Sequence, residues 1–212
     1  MFGNRKSQNN PQDCSWIGSN NFCGGFAANA ILADMRATQE TPMETYCRIQ
    51  EKQIASFDFK LQPITTNFIF RTITNGTLMS LPSSICAVLA LHGSMAVCHT
   101  SFFTSSPLYS LWGEESNKLS GIATIDKGNY DGMDVMLQDY SNYKYFLVLV
   151  NDRHWVAVKK EEDKYVCYDP GNGSVSSQKP TVLEAIKAAG YISEDQRTPP
   201  FISGLVLVVL VK

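Results

Sequence analysis

From residue 143 onward the chain alternates short apolar runs with tight polar breaks, and this pattern restricts the fold more than any other feature. Tyr143–Val150 is an apolar run of strand length, Asn151-Asp152-Arg153 is a turn, and His154–Lys159 (HWVAVK) is a second strand. Glu161-Glu162-Asp163 is another polar turn, Lys164–Tyr168 a third strand, and Asp169-Pro170-Gly171-Asn172-Gly173 breaks it. Strands joined this tightly pair as antiparallel neighbours, because a parallel pair needs a crossover of a dozen or more residues. The pattern therefore predicts an antiparallel meander. A helix is predicted over Thr181–Ala189, with a Thr181/Glu184 capping box and Gly190 just past its end. Ser203–Val211 reads as a buried closing strand.

The first half carries helical periodicity instead. Phe26, Ala27, Ala30, Ile31 and Met35 recur at three- and four-residue spacing after Cys23, with the N-cap types Asn20 and Asn21 ahead of them. Thr41-Pro42-Met43-Glu44 has capping-box spacing and predicts a helix to about Ile54. Ser80–Leu91 is an apolar helix stopped by Gly93, and Met95–His99 a short strand. Residues 56–78 support no assignment. Residues 100–142 are loop-heavy, with one short helix expected over Gly132–Tyr140, and are the expected place for substrate-contacting loops. Helices first and antiparallel strands second point to an α+β fold. A length of 212 residues fits a single domain over 20–212, preceded by a flexible polar arm over 1–19 that is rich in Asn, Gln and Ser.

Composition excludes several function classes. The formal net charge of −2 argues against a nucleic-acid binder. The longest strongly apolar stretch, Gly204–Val211, is too short to span a membrane. The start, MFGNRKSQNNPQD, has no apolar core, so no secretory signal is expected and the chain should be cytoplasmic in its producer. Six cysteines form no C-x-x-C pair, which leaves a cysteine zinc cluster without support. Cys47, Cys86 and Cys98 lie in apolar surroundings and read as core residues. Asp126, Asp131 and Asp134 do not match a calcium loop, and no phosphate-binding loop occurs. Of three histidines, His92 and His99 flank an apolar segment and read as structural.

Three short segments carry chemistry. In SNNFCGGFAANAILAD, Cys23 stands at the first turn of a helix, where the helix dipole favours a thiolate. Gly24 and Gly25 would leave room for substrate to reach the sulfur and the backbone N–H groups that hold an oxyanion. In NDRHWVAV, His154 opens a strand after a turn, at a sheet rim. In VCYDPGNG, Asp169 ends the next strand. With the turn centred on Glu161–Glu162, His154 and Asp169 would be near-opposite across the pair, about 5 Å apart. The carboxylate could then orient the imidazole toward the thiol.

Cys-Gly-Gly on an early helix, His-Trp-Val-Ala-Val and Tyr-Asp-Pro-x-x-Gly together resemble the papain-like cysteine peptidase superfamily. The HWVAV…YDPGNG segment is most similar to its double-glycine-peptidase-like branch and to papain-like bacterial effectors. The resemblance covers residues 18–35 and 145–174. It implies a helical half carrying the nucleophile Cys23 and a sheet half carrying the base His154 and its orienting Asp169, with no metal or organic cofactor. It also implies a protein or peptide substrate and a peptide bond as the default target. Together with the polar arm and small size it fits a bacterial effector or toxin exported by a dedicated machine, which as a toxin would meet a cognate inhibitor protein. A chain secreted without such machinery and a cytoplasmic processing peptidase stay open. Glutamine deamidation, acyl transfer and a non-catalytic binding module remain open on the same fold. One departure concerns the oxyanion hole. The family's glutamine position, six residues before the nucleophile, holds Ile17, which leaves Asn20 or Asn21 as the side-chain donor. Asp13-Cys14-Ser15 resembles the start of the cell-wall amidase branch, so Cys14 is a competing nucleophile.

Overall fold

The computed structural model describes residues 2, 22–56, 80–99, 124–126, 142–150, 154–190 and 202–210. Among them are four helices, α1 (Cys23–Asp34), α2 (Pro42–Ser56), α3 (Pro82–Leu91) and α4 (Val182–Ala188). Seven strands accompany them: β1 (Ser94–His99), β2 (Thr124–Asp126), β3 (Tyr145–Val150), β4 (His154–Glu161), β5 (Lys164–Asp169), β6 (Ser174–Val175) and β7 (Ile202–Leu210). The fold is mixed α+β. The strands form one sheet in the order β2-β1-β7-β3-β4-β5-β6. Only β1 and β2 pair in parallel; every other neighbour is antiparallel.

The meander β3-β4-β5 follows the sequence pattern. Its first hairpin pairs Tyr145 with Lys159 and Val150 with His154. The second turn is one residue later than expected. Glu161 pairs with Lys164, so Glu162 and Asp163 form a two-residue loop, with Glu162 at φ 55°. The positive φ at the first central residue, Glu162, gives a twist that matches the flanking strands.

β3 is buried along its whole length, which its unbroken apolar sequence requires. On one face Phe146, Val148 and Val150 join Val156, Val158, Cys167 and the Val182, Ala185 and Ile186 of α4. On the other, Leu147 and Leu149 join Trp155, Ala157, Val166, Tyr168 and α1. The sheet is therefore covered on both sides at its centre.

α1 is buried continuously from Cys23 to Leu32. A helix without a polar face must be enclosed, and α1 lies between β4 and the pair α2 and α3. Phe22, not an asparagine, is its N-cap, and it supplies no side-chain cap. Phe22 is held by packing edge-on against Tyr46, ring centres 4.8 Å apart, so tertiary contact sets the start of the helix. Asn20 and Asn21 lie outside the described residues. At the other end Asp34 accepts hydrogen bonds from the Tyr145 hydroxyl at 2.7 Å and from Lys159 Nζ at 2.9 Å. A carboxylate is disfavoured at a helix C-terminus, and burial raises its proton affinity. The bonds from Lys159 and Tyr145 outweigh both and hold Asp34 below the usual carboxylate range. Burial, reinforced by the bond to Asp34, pushes Tyr145 up to about 12. With Cys23 beside Trp155 and Asp34 beside Lys159, α1 runs along β4 in the same direction.

α2 opens with the expected reciprocal cap: Glu44 N donates to Thr41 Oγ1 at 3.2 Å, and Thr41 N donates to Glu44 Oε2 at 2.7 Å. Only the Glu184 N to Thr181 Oγ1 half forms at α4, and Gly190 past its end has φ 87°. Buried Asn29 ties α1 to α2 through Glu40 O and Thr45 Oγ1. His92 is structural, its Nδ1 3.3 Å from Ala37 O. Cys86 is buried as expected. Cys47 is exposed, because the apolar residues near it in sequence fall on the other side of α2. In the segment expected to be an arm, Phe2 is buried against Tyr168, ring centres 6.3 Å apart.

The expected helix over Gly132–Tyr140 and the unassigned stretch 57–78 lie outside the described residues. Among those described, no helix is long and apolar enough to cross a membrane.

Candidate active site

Three elements meet at one end of α1. Cys23 is the first residue of α1, His154 the first of β4, and Asp169 the last of β5. Cys23 and Asp169 are buried, and the His154 side chain is 13% exposed. Position 154 is the last rung of β3–β4 pairing and lies beyond the last rung of β4–β5 pairing. His154 thus sits on the sheet rim.

Its Nε2 lies 2.6 Å from Asp169 Oδ1. This contact is diagonal and not directly cross-strand. Ala157 pairs with Tyr168, so Asp169 stands level with Val156, two residues from His154 on the same face. The later turn causes this offset, and the side chains span it. Asp169 Oδ1 also accepts from Gly171 N at 2.7 Å, and Gly173 N donates to Asp169 O at 2.9 Å. The Asp-Pro-Gly turn thereby fixes its own carboxylate. A Cβ at Gly171 would lie 3.0 Å from Asp169 Oδ1 and 3.4 Å from His154 Cε1, so a side chain there would press on the pair.

Cys23 Sγ accepts a hydrogen bond from Trp155 N at 3.4 Å. The His154 ring hydrogen-bonds the same sulfur. With Nε2 occupied by Asp169, Nδ1 is the nitrogen left for Cys23. Burial by itself would lower the His154 pKa; the bonds to Asp169 and Cys23 prevail and push it up to about 10. At neutral pH the ring is therefore an imidazolium between a carboxylate and a sulfur.

The raised value has a consequence for stability. A histidine at about 10 when folded and 6.5 when unfolded adds stability that is fully present below 6.5 and is lost as pH rises toward about 10. Asp169→Asn removes the main cause of the shift. Its melting-temperature deficit relative to wild type should be largest below pH 6.5 and shrink steadily toward about pH 10. A deficit constant across this range would show that Asp169 does not act through the histidine charge.

The two glycines after Cys23 do something other than admit substrate. A Cβ on Gly24 would lie 2.3 Å from Ser80 Cβ and 3.2 Å from Trp155 Cδ1, and one on Gly25 would lie 2.6 Å from Tyr46 Cα. They are close-packing positions that seat α1 against its neighbours. Trp155 and Ser80, which sequence reasoning did not single out, complete the surroundings: Trp155 Nε1 donates to Ser80 O at 2.8 Å. The one available signal was that Trp155 follows His154 directly.

Cys14 and Ile17, like Asn20 and Asn21, lie outside the described residues. His99 closes β1, at the opposite side of β7 from the meander. Among the described residues no group of His, Cys, Asp and Glu is placed to hold a metal. Searches against family models, curated proteins and solved structures returned no match for this chain.

Proposed function

We propose that the protein is a papain-like thiol hydrolase that cleaves a peptide bond in a protein or peptide substrate. The observation that carries the reading is the meeting of Cys23, His154 and Asp169 from three separate elements. The Asp169–His154 contact is 2.6 Å, and the His154 ring bonds the sulfur. A buried histidine used only for packing has no need of a buried carboxylate on one nitrogen and a thiol on the other.

In this mechanism Cys23 Sγ, as thiolate, attacks the scissile carbonyl carbon. The carbonyl π pair moves to oxygen and is held there by the Cys23 backbone N–H and, in the family's manner, by an amide side chain from Asn20 or Asn21. His154 gives its Nδ1 proton to the leaving amine as the C–N bond breaks, which leaves a thioester on Cys23. Water then attacks the thioester carbon. His154 takes one of its protons, and collapse of the tetrahedral species expels the thiolate and the acid product. Asp169 keeps the imidazole oriented throughout and stays ionised. No metal or organic cofactor takes part. An effector or toxin acting on a host or competitor protein, with a cognate inhibitor filling the cleft, fits this chemistry.

Incubation with a library of unfolded proteins, followed by mass spectrometry, tests the reading. New peptide termini should appear with wild type and vanish with Cys23→Ala. An amide-to-acid mass change on intact targets, without new termini, would replace peptidase by deamidase. No Cys23-dependent product of either kind, with alkylation of Cys23 no faster than that of an ordinary thiol, would leave a binding module as the better account.

A further inference from the structure

Three contacts converge on Trp155 and tie it to both α1 and the start of α3. Its indole is fully buried, and its Nε1 donates to the main-chain oxygen of Ser80 at 2.8 Å. Its ring edge lies against the bare backbone of Gly24, with Cδ1 3.2 Å from where a Cβ would stand. Its own amide donates to Cys23 Sγ at 3.4 Å. We infer that Trp155 is a positioning residue for the Cys23–His154 pair: its indole, hooked on the Ser80 carbonyl, sets where β4 begins, and so sets where the Trp155 amide and the His154 ring meet the sulfur. This rests on the thiol-hydrolase reading above.

The argument is geometric. Ser80 is fully buried and immediately precedes the N-cap of α3, Leu81. The indole bond therefore indexes the start of β4 to the start of α3. The ring edge indexes the same strand to α1, because Gly24 places no side chain between them. Two donors then reach one sulfur from consecutive residues, the imidazole of 154 and the amide of 155. The Cα that carries the imidazole and the amide of 155 belong to one peptide unit, so a shift of that unit moves both donors. The amide direction is fixed by the peptide plane, so any rotation of the first residues of β4 turns it off the sulfur and swings His154 with it. Reacting groups tolerate little of this: a misplacement of about 1 Å can cost about a hundredfold in rate. Apolar packing alone would be met by phenylalanine. The anchor to Ser80 O would not, and that carbonyl would be left buried without its donor.

The test is the pH profile of Cys23 alkylation by iodoacetamide, mapped by mass spectrometry. Wild type, Trp155→Phe, His154→Ala and the core control Ile49→Val are compared. At about pH 5.5, where ordinary thiols are protonated, Trp155→Phe should be labelled about five- to tenfold more slowly at Cys23, the factor that one misaligned hydrogen bond represents. The rates should converge at alkaline pH, so that the whole profile moves upward. Ile49→Val should lower the melting temperature and leave the profile in place, which separates positioning from general destabilisation. Should Trp155→Phe fail to fold, β-(3-benzothienyl)alanine at position 155 keeps the ring shape and deletes only the N–H. A wild-type profile in a folded variant, with His154→Ala slowed, overturns the role of Trp155 and leaves the hydrolase reading standing. An unchanged profile in His154→Ala overturns the hydrolase reading, and this inference falls with it.

Discussion

Alkylation of Cys23 at about pH 5.5 should slow roughly thirtyfold in His154→Ala. An ordinary thiol, with a pKa of about 8.5, is only about one part in a thousand thiolate at that pH. In the proposed mechanism Cys23 reacts as a thiolate paired with the imidazolium, whereas the thiol left in His154→Ala is an ordinary one, a difference of about a thousandfold in reactive form. Nucleophilicity falls as the thiolate is stabilised, with a Brønsted slope of about 0.5, which returns about thirtyfold of that over three pH units. The remaining factor of about thirty is the expected difference. Peptide-bond turnover should fall further, by about 10² to 10⁴, because the base and acid are lost together. Cys47 is an internal reference, since it is exposed where Cys23 is buried. Access alone would favour Cys47, so faster labelling of Cys23 in wild type reports activation and not exposure. Equal rates at Cys23 in wild type and His154→Ala would sink the imidazolium–thiolate pair.

Gly25→Ala should lower stability by about 3 kcal/mol, and with it the melting temperature by about 6–12 °C. Helix propensity argues the opposite sign, since alanine is favoured over glycine in a helix by about 1 kcal/mol. The contact distances decide between them. The added Cβ would stand 2.4 Å from Tyr46 Cβ, 2.6 Å from Tyr46 Cα and 2.9 Å from Tyr46 N. Two of these atoms are backbone of α2 and cannot turn aside as a side-chain end can. α1 and α2 would have to separate, and the Phe22–Tyr46 edge contact that holds the start of α1 would open with them. Cys23 stands between Phe22 and Gly24, so its labelling at acid pH should decline as well. A melting temperature at or above that of wild type would show that α1 relaxes freely against α2, and would remove this account of the paired glycines.

Much of the local structure was legible because local physics sets it. Two tight turns between apolar runs leave the meander no other pairing, and the reciprocal cap of Thr41 with Glu44 is closed within four consecutive residues. His154 and Asp169 were legible as strand-end residues for the same reason, although the turn at Glu162–Asp163 made their contact diagonal. Long-range placement was not legible. β7 comes from the end of the chain and enters between β1 and β3, a choice that rests on non-local pairing that no window of sequence contains. The cap of α1, though not its start at Cys23, was misread for a related reason: Phe22 is a poor cap in isolation, yet packing on Tyr46 fixes it there.

The sequence by itself determined the three local placements on which the proposed chemistry rests: a cysteine opening a helix, a histidine opening a strand and an aspartate closing the next one. Side-chain type and strand or helix pattern are short-range properties, carried within each segment. Tertiary structure alone decided that these three meet, that Gly24 and Gly25 serve packing, and that Trp155 ties the sulfur to Ser80. Cys23 and Trp155 are 132 residues apart. Their contact exists because a helix buried on all sides must lie along the central sheet, and only at that depth does one end of it come level with the start of β4.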